Sequence, residues 1–464
     1  LDGVLSANGA NYAKKRGGSG SGGVICLKCR TIQGAGGTLR AQGGNGSYEH
    51  SVDFSGGGGG GRIAVDYDTA AQRALPRPSL AFSVAPGGSI GAQGKGIHGT
   101  VWFPDGSLLQ ETFAVDGSVY GFTNWTCGSL TVTNGLARFA ESGFNLAVDG
   151  DVCVTGPDAR FDLGGNTNML CYWSKSLWYF AFNEMPDPPE LQVGGNLVLT
   201  NGGHLRVYCC ATNSADQPFG GRIRIGKACN IYTNSALHLA SHPTNGASAR
   251  VSAHRVAVAA GGAISADAMG FKGRWRNIAD TTPMFGPGAG QSAQYWGNGA
   301  GHGGAGSRSA NNASIAPTYG CSNAPVLAGS AGGDGWGDNE RWGGFGGGLV
   351  YLTVASTLGI DGTISANGGA GRDYYGSGGG GSGGSVFLSC RRLEGKGTVR
   401  ARGGDASVAY KSGSGGGGRI AVWRTVDAAS LTFDVTNGVA YYSGEPGTVF
   451  LGDIPAAATL ILLR

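Results

Sequence analysis

Seven carboxylates frame the least repetitive stretch of the chain: Asp149, Asp151, Asp158 and Asp162 precede it, and Glu184, Asp187 and Glu190 close it. Two such groups at the right separation are what glycoside hydrolysis requires, one as acid and one as base or nucleophile. Between them, Cys171 to Glu190 is dense in aromatics. Tyr172, Trp173, Trp178, Tyr179 and Phe182 offer flat rings that would stack on sugars or on another protein if the segment projects as a loop. The same rings would serve as an apolar cap on the flank of the fold. Asp beside Gly, as in Asp149-Gly150, is the usual residue of a turn, and turn chemistry accounts for these carboxylates better than catalysis does.

A second candidate is the run Gly333 to Glu340, where Asp334, Asp338, Asn339 and Glu340 put several oxygen ligands in one tight loop. A hard cation such as calcium requires such ligands, although the spacing matches no standard calcium loop. Calcium is the one cofactor suggested. His302, inside Gly301-His302-Gly303-Gly304, reads as a packed polar bridge rather than a ligand. His238 and His242 would share a face only on a helix, and their segment reads as strand, so no zinc site is inferred. Nothing here forms a recognisable catalytic constellation.

The elements that must position these residues follow from composition and repetition. Of 464 residues 92 are Gly, and charged types reach only 14%, which argues against charge-driven disorder. Glycine costs backbone entropy, so it is kept where chains pack backbone to backbone. The net charge of +4 is small for this length and the Lys and Arg residues are scattered, a poor fit to nucleic acid. No apolar run approaches the roughly 20 residues needed to span a bilayer. Ten cysteines occur, yet Cys26 and Cys29 point to opposite faces of a strand, and so do the adjacent Cys209 and Cys210. Burial as free, small apolar residues is the expectation for most of the ten.

An internal repeat governs the architecture. Leu1-Asp2-Gly3-Val4-Leu5-Ser6-Ala7-Asn8-Gly9 returns as Ile360-Asp361-Gly362-Thr363-Ile364-Ser365-Ala366-Asn367-Gly368. Gly22 to Arg30 returns as Gly383 to Arg391, which aligns Cys26 with Phe387 and places both in an apolar core slot. Thr38-Leu39-Arg40-Ala41 matches Thr398-Val399-Arg400-Ala401, and the glycine run ending in Arg62-Ile63-Ala64-Val65 matches the one ending in Arg419-Ile420-Ala421-Val422. The strand Leu349 to Val354 that feeds the second copy has no counterpart before the first. The chain thus enters its repeat midway, and the first copy is expected to take a strand from a neighbouring molecule or from further repeats of a longer protein.

Residues 1–110 are therefore read as the first copy, 111–268 as β-solenoid with an aromatic insertion at 171–190, 269–348 as a glycine-rich segment, and 349–464 as the second copy. The fold class is all-β: an elongated β-solenoid, one strand covering the edge of the next, with interleaved polyglycine II-like segments. A set of β-sandwich repeats joined by glycine-rich linkers would show similar strand spacing. Runs such as Gly56 to Gly61 and Gly378 to Gly381 are expected to form extended three-fold helices whose hydrogen bonds go to neighbouring segments.

The order Ile264-Ser265-Ala266-Asp267, Gly286-Pro287-Gly288-Ala289-Gly290, Gly301-His302-Gly303-Gly304, Ile364-Ser365-Ala366-Asn367-Gly368 and Gly416-Gly417-Gly418-Arg419-Ile420-Ala421-Val422 resembles the recurring unit of long glycine-rich proteins secreted by environmental bacteria. The match covers residues 264–423 and part of 1–65. Its glycines are also similar in style to the polyglycine regions of phage tip adhesins and of the anaplastic lymphoma kinase ectodomain. The resemblance implies secretion, a place at a cell surface or matrix, and an ordered glycine lattice, and it assigns no catalytic residue. The expected role is structural or adhesive, with self-association or polysaccharide as partner. A carbohydrate-active enzyme or carbohydrate-binding module on a solenoid is the rival.

Overall fold

The computed structural model describes residues 1–11, 18–46, 56–88, 96–165, 187–211, 219–273, 284–336, 342–372 and 377–454. The chain forms two compact units, Leu1–Tyr208 and Cys209–Arg464. Strand pairing inside each unit is parallel throughout the described residues. Parallel stacking of sequential strands decides for the solenoid and against sandwiches, whose sheets are antiparallel. Among the described residues no helix is long and apolar enough to cross a membrane.

In the second unit the coils from Ala249 onward share one anatomy: a long strand, a tight turn, a three-residue strand and a glycine excursion. Leu349–Ile360 turns through Asp361-Gly362 into Thr363–Ser365, and Ser385–Gly395 turns through Lys396-Gly397 into Thr398–Arg400. The long strands stack, with Tyr351 beside Phe387 and Phe387 beside Ala421. Alternation explains the core. Val350, Leu352 and Val354 point inward and are buried, as are Ile364 and Val399 of the short strands, while Tyr351 and Thr353 point outward. Fully burying such a side chain contributes about 1.5–3 kcal/mol.

The glycine excursions are ordered, and Gly379–Gly384 shows how. The N–H groups of Gly379 and Ser382 donate to Gly333 and Ser330 at 2.8 and 3.0 Å, those of Gly380 and Gly383 to Gly413 and Gly416 at 2.9 and 3.0 Å, and those of Gly381 and Gly384 to Gly369 and Ala366 at 3.0 and 2.7 Å. The carbonyls turn with the same three-residue period. Gly379 and Ser382 accept from Gly344 and Gly347, Gly381 and Gly384 from Gly404 and Arg419. Gly380 accepts from Ala300, and three residues on Gly383 accepts from the His302 ring. A chain with three residues per turn and no internal hydrogen bond is a polyglycine II helix, and here its bonds go outward on every side. A Cβ on Gly380 would collide with the backbone of Gly404 and Gly415, which explains the residue choice.

The first unit repeats this plan at its start. Val24–Lys28 lies on Arg62–Asp66 with Val24 opposite Arg62, as Ser385 lies opposite Arg419, so the sequence repeat is also a repeat of hydrogen-bond register. Cys26 does not occupy a core slot. It is exposed and its counterpart Phe387 is half-exposed, because Ile25 takes the inward position and puts Cys26 on the same outer face as Lys28. From Asn124 onward the coils carry three short strands each. Asn124–Cys127, Leu130–Val132 and Leu136–Phe139 lie under Asn145–Val148, Val152–Thr155 and Arg160–Leu163, and those lie under Glu190–Val193, Leu197–Thr200 and His204–Tyr208. Phe139 anchors this core, stacked on Phe144 at 4.4 Å and edge-on to Phe113 and Phe161.

Candidate functional site

Of the described carboxylates that could serve hydrolysis, Asp151 and Asp162 are engaged by the fold, while Asp149 and Asp158 are exposed. Asp151 accepts from the Asn196 N–H at 2.7 Å and ties one coil to the next. Asp158 sits in an exposed turn. Asp187 is held by its backbone, its N–H donating to the Ser142 hydroxyl and its carbonyl accepting from the Gly143 N–H, and Glu190 opens a strand. Tyr172, Trp173, Trp178, Tyr179, Phe182 and Glu184 lie outside the described residues.

Asp162 has a partner that sequence reasoning missed. The ladder sets Arg138 opposite Asp162, and Asp162 opposite Arg206. The Asp162 carboxylate takes both Nη2 and Nε of Arg138, at 2.7 and 3.2 Å, and both residues are buried. Burial would lower the Arg138 pKa, but the adjacent Asp162 charge, Tyr208 and the hydrogen bond to Asp162 together outweigh it and keep the guanidinium protonated. Arg206 also reaches the Tyr208 hydroxyl at 3.1 Å. The pair is 24 residues apart in sequence, so only the register brings it together.

His302 bridges glycine segments, as its setting suggested. It is fully buried, its Nδ1 lies 2.8 Å from the Gly383 carbonyl and must donate to it, and its ring packs on Tyr319 at 4.5 Å. Burial, with the Arg419 charge close by, holds the imidazole down at about 4, so it is neutral at physiological pH. Arg419 is itself buried, donating to the Tyr319 carbonyl, the Thr448 hydroxyl and the His302 carbonyl at 2.9, 3.1 and 3.4 Å.

The calcium candidates divide. Asp334 accepts the Gly343 N–H at 2.7 Å, closing its loop, while Asp338, Asn339 and Glu340 lie outside the described residues. His238 lies within the strand Ala236–Ala240 and His242 beyond its end. All nine described cysteines are free thiols. Cys127, Cys209, Cys210, Cys229 and Cys390 are buried, and burial pushes Cys229 and Cys390 up to about 12, so neither is a nucleophile at neutral pH.

What the glycine bundle itself positions is a set of loops at one of its ends. Gly297 donates to Ser377, Gly413 to Gly297, Gly371 to Asp405 and Ala406 to Val439, so the loops leave the bundle side by side. Each carries an aromatic or aliphatic residue. Tyr295, Val408, Val439 and Tyr441 are about half-exposed. Cations lie against the rings: Lys411 over Trp296 at 6.0 Å, Arg308 over Tyr442 at 4.6 Å and Arg372 over Trp342 at 4.8 Å. Short paired strands, Ala293–Gln294 and Gly335–Trp336, stiffen two of these loops. Exposed rings carried on a hydrogen-bonded glycine support could act as a contact surface. No protein-family model matches the chain, and neither a curated protein nor a solved structure matches it.

Proposed function

We propose that the protein is an extracellular structural or adhesive repeat protein of a cell surface or matrix. The observation that carries this reading is the polyglycine bundle, in which Gly379–Gly384 hydrogen-bonds outward on every side and the bundle ends in aromatic loops. Such a lattice is a stiff spacer, and its loops are the contact surface. Self-association with further copies is part of the same proposal.

The test coats beads with the purified chain and measures retention under flow on biofilm matrix and on cells of the source organism. Adhesion that falls in a Trp296→Ala, Tyr441→Ala double variant, with unchanged thermal melting, supports the proposal. Equal retention of that variant refutes these loops as the contact surface, and no retention of the wild type refutes the adhesive role.

A further inference from the structure

The outer face of the long-strand sheet in the second unit carries a polar pattern that neither the bundle nor the core uses. The register runs Arg250, Tyr351, Phe387 along one row and Arg224, Ser252, Thr353, Ser389 along the next. Arg224 and Arg250 are exposed, and the others are half-exposed. Neighbouring strands stand about 4.8 Å apart, so each row repeats a functional group at that spacing. The Ser252 and Thr353 hydroxyls reach only long contacts, 3.4 and 3.5 Å, to carbonyls of the preceding strand, and both can turn to a ligand.

Charge gives the face a sign. The strands Gly221–Ile231 and Ala249–Val258 carry Arg222, Arg224, Lys227, Arg250 and Arg255 and no carboxylate, and Leu349–Ile360 adds no acid. Of these cations Arg255 has an acidic neighbour, Glu394, at 3.9 Å. Guanidinium groups recognise carboxylates through paired hydrogen bonds.

We infer that this face binds an acidic polysaccharide, a chain of uronate sugars laid across the strands. An extended glycan offers one pyranose for about each rung, with its carboxylates toward Arg224 and Arg250 and its hydroxyls toward Ser252, Thr353 and Ser389. Single-stranded nucleic acid fits less well, because it needs open ring faces on which bases stack. Here Tyr351 and Phe387 stack on each other at 4.7 Å, and Arg250 covers the Tyr351 ring at 4.8 Å. The inference deepens the adhesive reading by naming a partner class, on a surface separate from the bundle loops.

Calorimetric titration of the full chain with polygalacturonate, neutral amylose and oligothymidylate of equal charge tests it. Polygalacturonate is expected to bind, amylose not to bind, and oligothymidylate to bind at least tenfold more weakly. An Arg224→Ala, Arg250→Ala double variant should lose at least about tenfold for polygalacturonate, since hydrogen bonds to charged groups are the strong ones. Thr353→Val should lose a smaller factor without changing charge. The Trp296→Ala, Tyr441→Ala variant should bind as wild type, which separates this site from the adhesive loops. Absent binding, an undiminished Arg double variant, or oligothymidylate binding as tightly as polygalacturonate overturns the inference.

Discussion

Two adjacent glycines in the first unit give the sharpest test of the lattice. In the run Gly56 to Gly61, a Cβ built on Gly60 would fall on the Val84 carbonyl oxygen and within 2.6 Å of the Gly99 nitrogen, while one built on Gly59 meets only the Ile97 oxygen, at 3.8 Å. Gly99 N–H donates to Val84 O at 2.8 Å, so a Gly60→Ala methyl would wedge into an existing backbone hydrogen bond. The obstructing atoms are backbone and cannot turn aside. Overpacking of this kind costs about 1–3 kcal/mol, and leaving a buried donor or acceptor unmet costs about 1–3 more, for a total near 3 kcal/mol. Gly59→Ala meets open space and reduces the entropy of the unfolded chain, which stabilises by about 0.4–1 kcal/mol. Neighbouring substitutions of identical chemistry should therefore differ by about 3–4 kcal/mol, or roughly 10 °C in the melting of a unit this size. Differential scanning calorimetry of the two variants reads the difference directly. Equal melting temperatures would show the run to be a flexible linker and would refute the three-fold lattice.

Three further outcomes are expected. Asp162→Ala leaves the Arg138 charge buried and unpaired and should destabilise by about 3–5 kcal/mol in urea titration, whereas replacing both residues with apolar ones should cost much less. His302 is neutral and buried at about 4 against an ordinary 6.5, so the unfolded chain takes up its proton first as pH falls. Its contribution is fully present above 6.5, declines from there to about 4 and is then constant, a loss of roughly 3 kcal/mol. His302→Asn, which can still donate to Gly383, should lack that part of the acid slope. Gly417→Val, whose side chain would meet the Val435 carbonyl and Gly447 nitrogen, should abolish folding of the second unit, seen as loss of its protease-resistant core.

How much of this was legible depended on distance along the chain. The repeat was plain, and so was the alternation in Leu349–Ile360, because both are local patterns that the parallel ladder preserves. The ordered glycine runs could be foreseen because no other residue allows backbones that close. The outward placement of Cys26 was also available, since Lys28 lies two residues away on the same face, but alignment with Phe387 suggested a core slot. Arg138 with Asp162, and Arg250 with Tyr351, could not be read, because their meeting depends on coil length. Coil length in turn depends on how far each excursion runs before its strand rejoins the stack.

The two periods in the molecule also constrain each other. A strand slipped by one residue turns its apolar face outward, but a slip of two restores that face and on its own would be tolerated. The glycine excursions forbid it. Gly384 donates to Ala366 while Arg419 donates to Gly384 and Ser385 to Gly348, so the sheet ladder passes into the lattice without a break, and any slip is carried across. A two-residue slip would rotate a three-fold helix by two thirds of a turn. Ser382, whose hydroxyl accepts the Ser330 N–H at 2.8 Å, would then leave its partner, and its Cβ would move into a direction where only a glycine fits. Both patterns are restored together only after six residues, which exceeds the length of every short strand in these coils. A sequence of low complexity can in this way specify a single register, because its sheet and its lattice count in different periods.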